Sequence, residues 1–278
     1  MGIENEIKQS SPQQILFFKN PEEIISVSCG ATFSICICKN GVFSWGSNSF
    51  GQLGIGNNDD QSSLQQILFF KNPEEIISLS CGGHFSICIC KNGVFSWGYN
   101  HYGQLGIGNQ INQSSPQQIS FFKNPEEIIS LCCGNDFSIC IYKNGVFGWG
   151  YNGYGQLGIE TEINQFFPQQ IEFFKNPEEI ISLCCGAGFF ICICKNGVFG
   201  WGKKINSKKD TIRPLQITFE KKIESFSNLS FPQCSTRTIR MEKKLLLILA
   251  REHLDPDTYI MGKYYLPWDM FKILFNKI

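Results

Sequence analysis

Short apolar runs separated by polar turns fill the chain to about residue 202, and they do not follow the spacing of a helical solenoid. In the first stretch the runs are Gln14–Phe18, Glu23–Cys29, Phe33–Cys38 and Val42–Trp45, rich in Ile, Val, Phe and Trp, and they predict four β-strands. Lys39-Asn40-Gly41 predicts a hairpin between the third and fourth, because Asn-Gly tolerates positive φ at both central turn positions. The segment Phe-Phe-Lys-Asn-Pro-Glu-Glu is expected to join the first strand to the second, with proline where no ladder donor is needed. Phe33–Cys38 lacks clean apolar/polar alternation, as expected of a strand covered on both faces.

This pattern repeats at fixed length. Trp45, Trp97, Trp149 and Trp201 recur at an interval of 52 residues, and so do Pro21, Pro73, Pro125 and Pro177. A period near 50 residues with several strands per unit is the signature of propeller blades, since one blade cannot bury its own faces and must stack on neighbours. The expected fold class is therefore all-β, a β-propeller of four full four-stranded blades plus a degenerate fifth, with a small C-terminal α-helical appendage. The expected boundaries are a propeller over residues 1–235, with units of about 12–63, 64–115, 116–167 and 168–213 and a degenerate 214–235, then a helical segment over 236–278. Either four or five blades close into a ring, or the ring stays open with its edges shielded by the C-terminal segment or a second copy.

The last third differs in kind. Residues 1–202 hold nine Lys/Arg against sixteen Asp/Glu, and residues 203–278 hold fifteen against eight, so the zero net charge conceals −7 and +7. Arg240–Glu252 is dense in helix formers and apolar enough to predict a helix docked on the last blade, and a second helix is expected after Pro267. The basic tail reads more simply as a solvated helical appendage than as a nucleic-acid patch. With 42% apolar and 17% charged residues the chain is expected to fold around a sizeable core. No apolar stretch marks a signal peptide or a membrane span, so an intracellular location, cytoplasmic or nuclear, is expected, with no membrane partner.

Candidate chemistry is thin. The chain has fourteen Cys, but Tyr142 replaces the Cys seen at 38, 90 and 194, and Ser28 and Ser80 stand where Cys132 and Cys184 occur. A thiolate metal site needs all its ligands, so these are read as small buried hydrophobes. Disulfides within Cys-x-Cys are disfavoured because residues i and i+2 of a strand lie roughly 6.6 Å apart, near the bridging limit. The His are few (His84, His101 and His253), and no catalytic triad is visible. The polar run Glu252–Asp257 reads as a helix exit loop rather than a cation site. Gly-Gln-Leu-Gly-Ile-Gly lacks the Lys-Ser/Thr of a phosphate cradle and is expected to form a tight inter-blade loop. No cofactor, metal or catalytic residue is expected.

In an antiparallel meander successive loops alternate ends, which separates the constant turns from the variable ones. Lys-Asn-Pro-Glu-Glu and Lys-Asn-Gly-Val-Phe are identical in all four units. The loops expected at the other end vary: Ala31-Thr32, Gly82-Gly83-His84, Asn135-Asp136 and Ala187-Gly188 in one set, and Ser47 and Ser49, Tyr99 and His101, Tyr151 and Gly153, then Lys203 onward in the other. Variation on one end of a constant scaffold is what a loop-built recognition face would show. The candidate partner-binding residues are Thr32, His84, Asn135, Asp136, Tyr99, His101, Tyr102, Tyr151 and Tyr154. The competing reading is drift of exposed loops, with the Tyr rings only packing between blades.

The unit Cys-Gly-x-x-Phe-Ser-Ile-Cys-Ile-x-Lys-Asn-Gly-Val-Phe-x-Trp-Gly, followed by Asn-x-Phe/Tyr-Gly-Gln-Leu-Gly-Ile, resembles the regulator of chromosome condensation repeat over about residues 2–202. The resemblance implies a β-propeller. Phe33, Phe85, Phe137 and Phe189 stand where that family usually places His, so no role of that His carries over. The family normally has seven blades, against four full units here. A non-catalytic scaffold holding a protein partner is the expected function. The resemblance also implies an alternative, a guanine-nucleotide exchange factor for a Ran-like small GTPase. Leu266-Pro267 and the following apolar pattern are similar to F-box-like adaptor helices and give a second alternative, the substrate-binding arm of a ubiquitin ligase with a ligase component as partner.

Overall fold

The computed structural model of the protein describes residues 10–11, 13–203 and 210–217. It contains four antiparallel sheets of four strands each, laid out identically. The first blade comprises β1 (Ile24–Cys29), β2 (Phe33–Cys38), β3 (Gly41–Gly46) and β4 (Gln61–Gln66). The second holds β5 (Ile76–Cys81), β6 (Phe85–Cys90), β7 (Gly93–Gly98) and β8 (Gln113–Gln118). The third holds β9 (Ile128–Cys133), β10 (Phe137–Tyr142), β11 (Gly145–Gly150) and β12 (Gln165–Gln170). The fourth holds β13 (Ile180–Cys185), β14 (Phe189–Cys194), β15 (Gly197–Gly202) and β16 (Thr211–Gln216).

The blades are phased differently from the expectation. The strand placed at Gln14–Phe18, and by the repeat at Gln66–Phe70, lies about five residues earlier at Gln61–Gln66 and pairs with the Trp strand before it. The cause is packing: Ile67 and Phe70 are buried as a wedge between blades, and the Phe70 amide donates to the Ile67 carbonyl at 3.2 Å, turning the chain out of the sheet. The Phe-Phe-Lys-Asn-Pro-Glu-Glu segment therefore connects one blade to the next, ending in a 3-10 turn such as Pro73–Glu75. Pro116, Pro168 and Pro214 sit in the outermost strands, the place in a sheet where a missing N–H is tolerated. Leu215 and Gln216, expected to open a fifth repeat, belong to β16 of the fourth blade. The remainder of that repeat and the helices predicted at Arg240–Glu252 and beyond Pro267 lie outside the described residues.

β1, β5, β9 and β13 touch in succession and form the inner edge of the array. Side chains link them: Ser28 Oγ accepts from the Cys81 amide at 3.1 Å, Ser80 Oγ from Cys133 at 3.2 Å, and Cys132 Sγ from Cys185 at 3.1 Å.

The core is interfacial. Phe33, Ile35, Ile37, Val42, Leu53, Ile67 and Phe70 of one blade close over Cys88, Cys90 and Trp97 of the next. Two equivalent clusters join the second blade to the third and the third to the fourth. The cysteines of β2, β6, β10 and β14 are core groups; burial raises the Cys36, Cys88 and Cys140 thiols above their ordinary range, and the hydrogen bond with Cys194, with burial adding to it, raises that of Cys192. Residues 13–18 wedge against the first blade as 65–70 do against the second: the Phe17–Phe43 and Phe69–Phe95 ring centroids are each 4.9 Å apart. Among the described residues no helix is long and apolar enough to cross a membrane.

Candidate protein-interaction face

Two sets of loops share one end of the array, here the loop end. The β1–β2 loop and the long β3–β4 loop are tied by one backbone bond that recurs in every blade. Ser47 N–H donates to the Thr32 carbonyl at 2.9 Å, Tyr99 to His84 at 2.9 Å, Tyr151 to Asp136 at 2.8 Å and Lys203 to Gly188 at 2.9 Å. The short loops also bond sideways, Ala31 N–H to the Gly83 carbonyl and Gly83 N–H to the Asn135 carbonyl, both at 2.9 Å. The scaffold is thus constant in backbone and variable in side chain.

The Gly-Gln-Leu-Gly motif builds that scaffold. Contrary to the inter-blade expectation it connects two strands of one blade, yet it seats on the next. The Gln52 and Gln104 carbonyls accept from Trp97 Nε1 at 3.0 Å and Trp149 Nε1 at 2.9 Å. A Cβ on Gly106, whose φ is +70°, would lie 2.8 Å from Trp149 Nε1, so glycine is needed both for conformation and for space. Asn100 is fully buried within the loop and holds it from inside, its Oδ1 accepting from Leu105 N–H at 3.0 Å and its Nδ2 donating to the Asn109 carbonyl at 2.9 Å. Asn48 and Asn152 repeat this arrangement.

On this frame the aromatic side chains form a continuous file across blades. Phe50 lies 4.7 Å from Tyr99, Tyr99 6.0 Å from Tyr102, Tyr102 4.8 Å from Tyr151 and Tyr151 5.6 Å from Tyr154, centroid to centroid. His84 packs on Phe50 at 5.5 Å and His101 stacks on Tyr99 at 5.1 Å. Lys203 Nζ closes the file 5.1 Å above the Tyr154 ring. These rings pack between blades, as the competing reading expected, and they also remain half-exposed, so one file does both. Burial raises the Tyr99 and Tyr151 hydroxyls above their ordinary range, with neighbouring phenols adding to it, so both stay neutral donors.

The structure thus gathers His84, Tyr99, His101, Tyr102, Tyr151, Tyr154 and Asp136 at one surface. Asn135 is exposed and donates to the Asp136 carboxylate. Thr32 is exposed and contributes its carbonyl to the scaffold. Sequence reasoning omitted Phe50 and Lys203 as site residues, although the repeat offered the signal: Phe50 is one period before Tyr102, and Lys203 one period after Tyr151. Asp136 is held above the usual carboxylate range by burial, while Asn135 and the nearby His84 pull the other way.

Models of the regulator of chromosome condensation (RCC1) repeat match residues 39–89, 91–141 and 143–193, and a second model of that repeat matches 24–52, 76–104 and 128–156. The chain is 34% identical over 184 residues to the human (Homo sapiens) probable E3 ubiquitin-protein ligase HERC6, covering 63% of this chain and 18% of that ligase. It is 26% identical over 220 residues to the ultraviolet-B receptor UVR8 of Arabidopsis thaliana, covering 78% of this chain and 49% of the receptor. The crystal structure of Prp20p from Saccharomyces cerevisiae shares the fold at a TM-score of 0.60 and 18% identity, covering 71% of this chain and 51% of Prp20p. The chain therefore spans about half or less of the length of each of these proteins.

Proposed function

Since the chain belongs to the regulator of chromosome condensation (RCC1) repeat family, we propose that it is a non-catalytic propeller that holds a protein partner on its loop end. The observation that carries this reading is the aromatic file from Phe50 to Tyr154, half-exposed on a backbone scaffold held constant by the same bond in every blade. Tyrosines preorganised by packing lose little entropy on contact and are residues that interfaces favour. An intracellular setting, cytoplasmic or nuclear, is part of this reading, and the free cysteines of the strands suit a reducing compartment.

The experiment is a paired capture from cell extract with two triple variants. Tyr99→Ala, His101→Ala and Tyr151→Ala together should abolish the partners captured by the intact chain. Lys71→Ala, Lys123→Ala and Lys175→Ala, at the opposite end, should leave them in place, and thermal unfolding checks that both variants fold. Partners kept by the first variant and lost by the second would reverse the assignment.

A second reading, the substrate-binding arm of a ubiquitin ligase, is favoured by the 34% identity to a probable E3 ubiquitin-protein ligase. Its test is the presence of ligase components among the captured proteins. Exchange activity on a Ran-like small GTPase would appear as faster nucleotide release on adding the chain, and an unchanged rate removes it.

A further inference from the structure

The loop end is not uniform along its length. Between the second and third blades, the short loops Gly82–His84 and Gly134–Asp136 are bonded side by side through Gly83 and Asn135. This notch holds two polar groups whose bonding is incomplete. His84 Nδ1 is buried and has no hydrogen-bond partner. The half-buried Asp136 carboxylate accepts from Gln104 Nε2 at 3.5 Å and from Asn135, but among the described residues it pairs with no Lys or Arg. Tyr99 and Tyr151 bracket it: their amides hang from the His84 and Asp136 carbonyls. The other interfaces lack this set, since Thr32 and Gly188 occupy the equivalent positions and Gln52 Nε2 and Gln156 Nε2 find no partner.

A desolvated anion beside the faces of neutral rings is a site for a cation. The structure already shows one such ring occupied, Tyr154 beneath Lys203. On the flanking long loops Asp59 and Glu162 are exposed carboxylates of the same sign, while Asp60 accepts from the Asn48 amide at 2.6 Å and Glu160 pairs with Arg213 at 2.9 Å. A planar fork suits the notch better than an ammonium, because it can stack on a tyrosine while donating two parallel bonds to a carboxylate.

Resting on the loop end as the partner-binding face, we propose that the notch between the second and third blades captures an arginine side chain from an extended basic segment of the partner. The guanidinium lies against the Tyr99, Tyr102 and Tyr151 file and donates to the Asp136 carboxylate.

The test uses the full chain and three labelled peptides, Gly-Ser-Gly-Xaa-Gly-Xaa-Gly-Ser, in which Xaa is arginine, lysine or citrulline, read by fluorescence anisotropy at low ionic strength. The arginine peptide should bind about tenfold or more tighter than the other two, a difference of about 1.4 kcal/mol. Asp136→Asn should remove that preference without lowering the unfolding midpoint, and Tyr151→Leu should weaken it by a smaller factor. Citrulline or lysine peptides binding as well as arginine, or Asp136→Asn retaining the preference, would overturn the proposal; the citrulline arm needs no variant to fold. If the preference fails while the Tyr99, His101 and Tyr151 triple variant still loses its captured partners, the face stands and the arginine assignment falls. If the triple variant keeps them, the face falls and the notch with it.

Discussion

The two ends of the array are built from the same strands and obey different rules. At the turn end every blade repeats the same side chains, and the ring pairs repeat as well: Phe69–Phe95, Phe121–Phe147 and Phe173–Phe199 stand 4.9, 5.0 and 5.2 Å apart. At the loop end every blade repeats the same backbone bonds while the side chains change, from Thr32 to His84 to Asp136 to Gly188. The turn end is therefore one interface copied, and the loop end is one scaffold carrying different cargo. Exposed Phe17, Phe69, Phe121 and Phe173 show that apolar exposure is also found at the constant end. Side chains that occur in one blade alone belong to the loop end, and they concentrate where His84 and Asp136 meet.

The contrast can be broken first at its shared support. Trp149 is fully buried between the second and third blades, and Trp149→Ala should cost about 3–5 kcal/mol in denaturant unfolding, damaging both ends together. A loss confined to partner binding, with stability intact, would mean that the ends do not depend on the interfacial core. Gly106→Ala should be next, about 1–2 kcal/mol for the left-handed backbone alone, because its added methyl also crowds Trp149. An unchanged midpoint would show that the long loop is not pinned to the next blade.

A matched pair sharpens the comparison. Tyr102 contacts two rings of the file, and Phe121 contacts Phe122 and Phe147 at the other end. Tyr102→Ala and Phe121→Ala should each lose about 1 kcal/mol of stability, and only the first should weaken partner capture. Equal effects on capture would dissolve the distinction between the ends.

The smallest effect is one of pH. The native Asp136 carboxyl is held above its unfolded-state range by burial, so its charged form opposes folding. Stability from this group is fully present below the unfolded value of 3.8, falls as pH rises through the raised native value, and stays lower beyond it. Asp136→Asn should flatten that dependence, and its stability at neutral pH should equal or slightly exceed that of the parent chain in thermal melts across pH 3 to 7. A parent chain that instead gains stability across that window through Asp136 would mean the carboxylate is already paired with a cation.

The interval from Trp45 to Trp201, the Asn-Gly turns and the apolar runs were enough to determine the sheets, their number and the sorting of loops into a constant and a variable end, because strand periodicity and turn chemistry are local properties. The phase of the blade was not local. Gln66–Phe70 reads as a strand, and only burial of Ile67 and Phe70 between two blades decides that it is a wedge and that the strand lies earlier. The candidate face was legible as a set of residue types; Phe50, one period before Tyr102, joins it through the packing of its ring on Tyr99. That His84 and Asp136 share one notch also belongs to the tertiary structure alone: they lie one repeat apart, and it is the sideways bond between Gly83 and Asn135 that makes them neighbours.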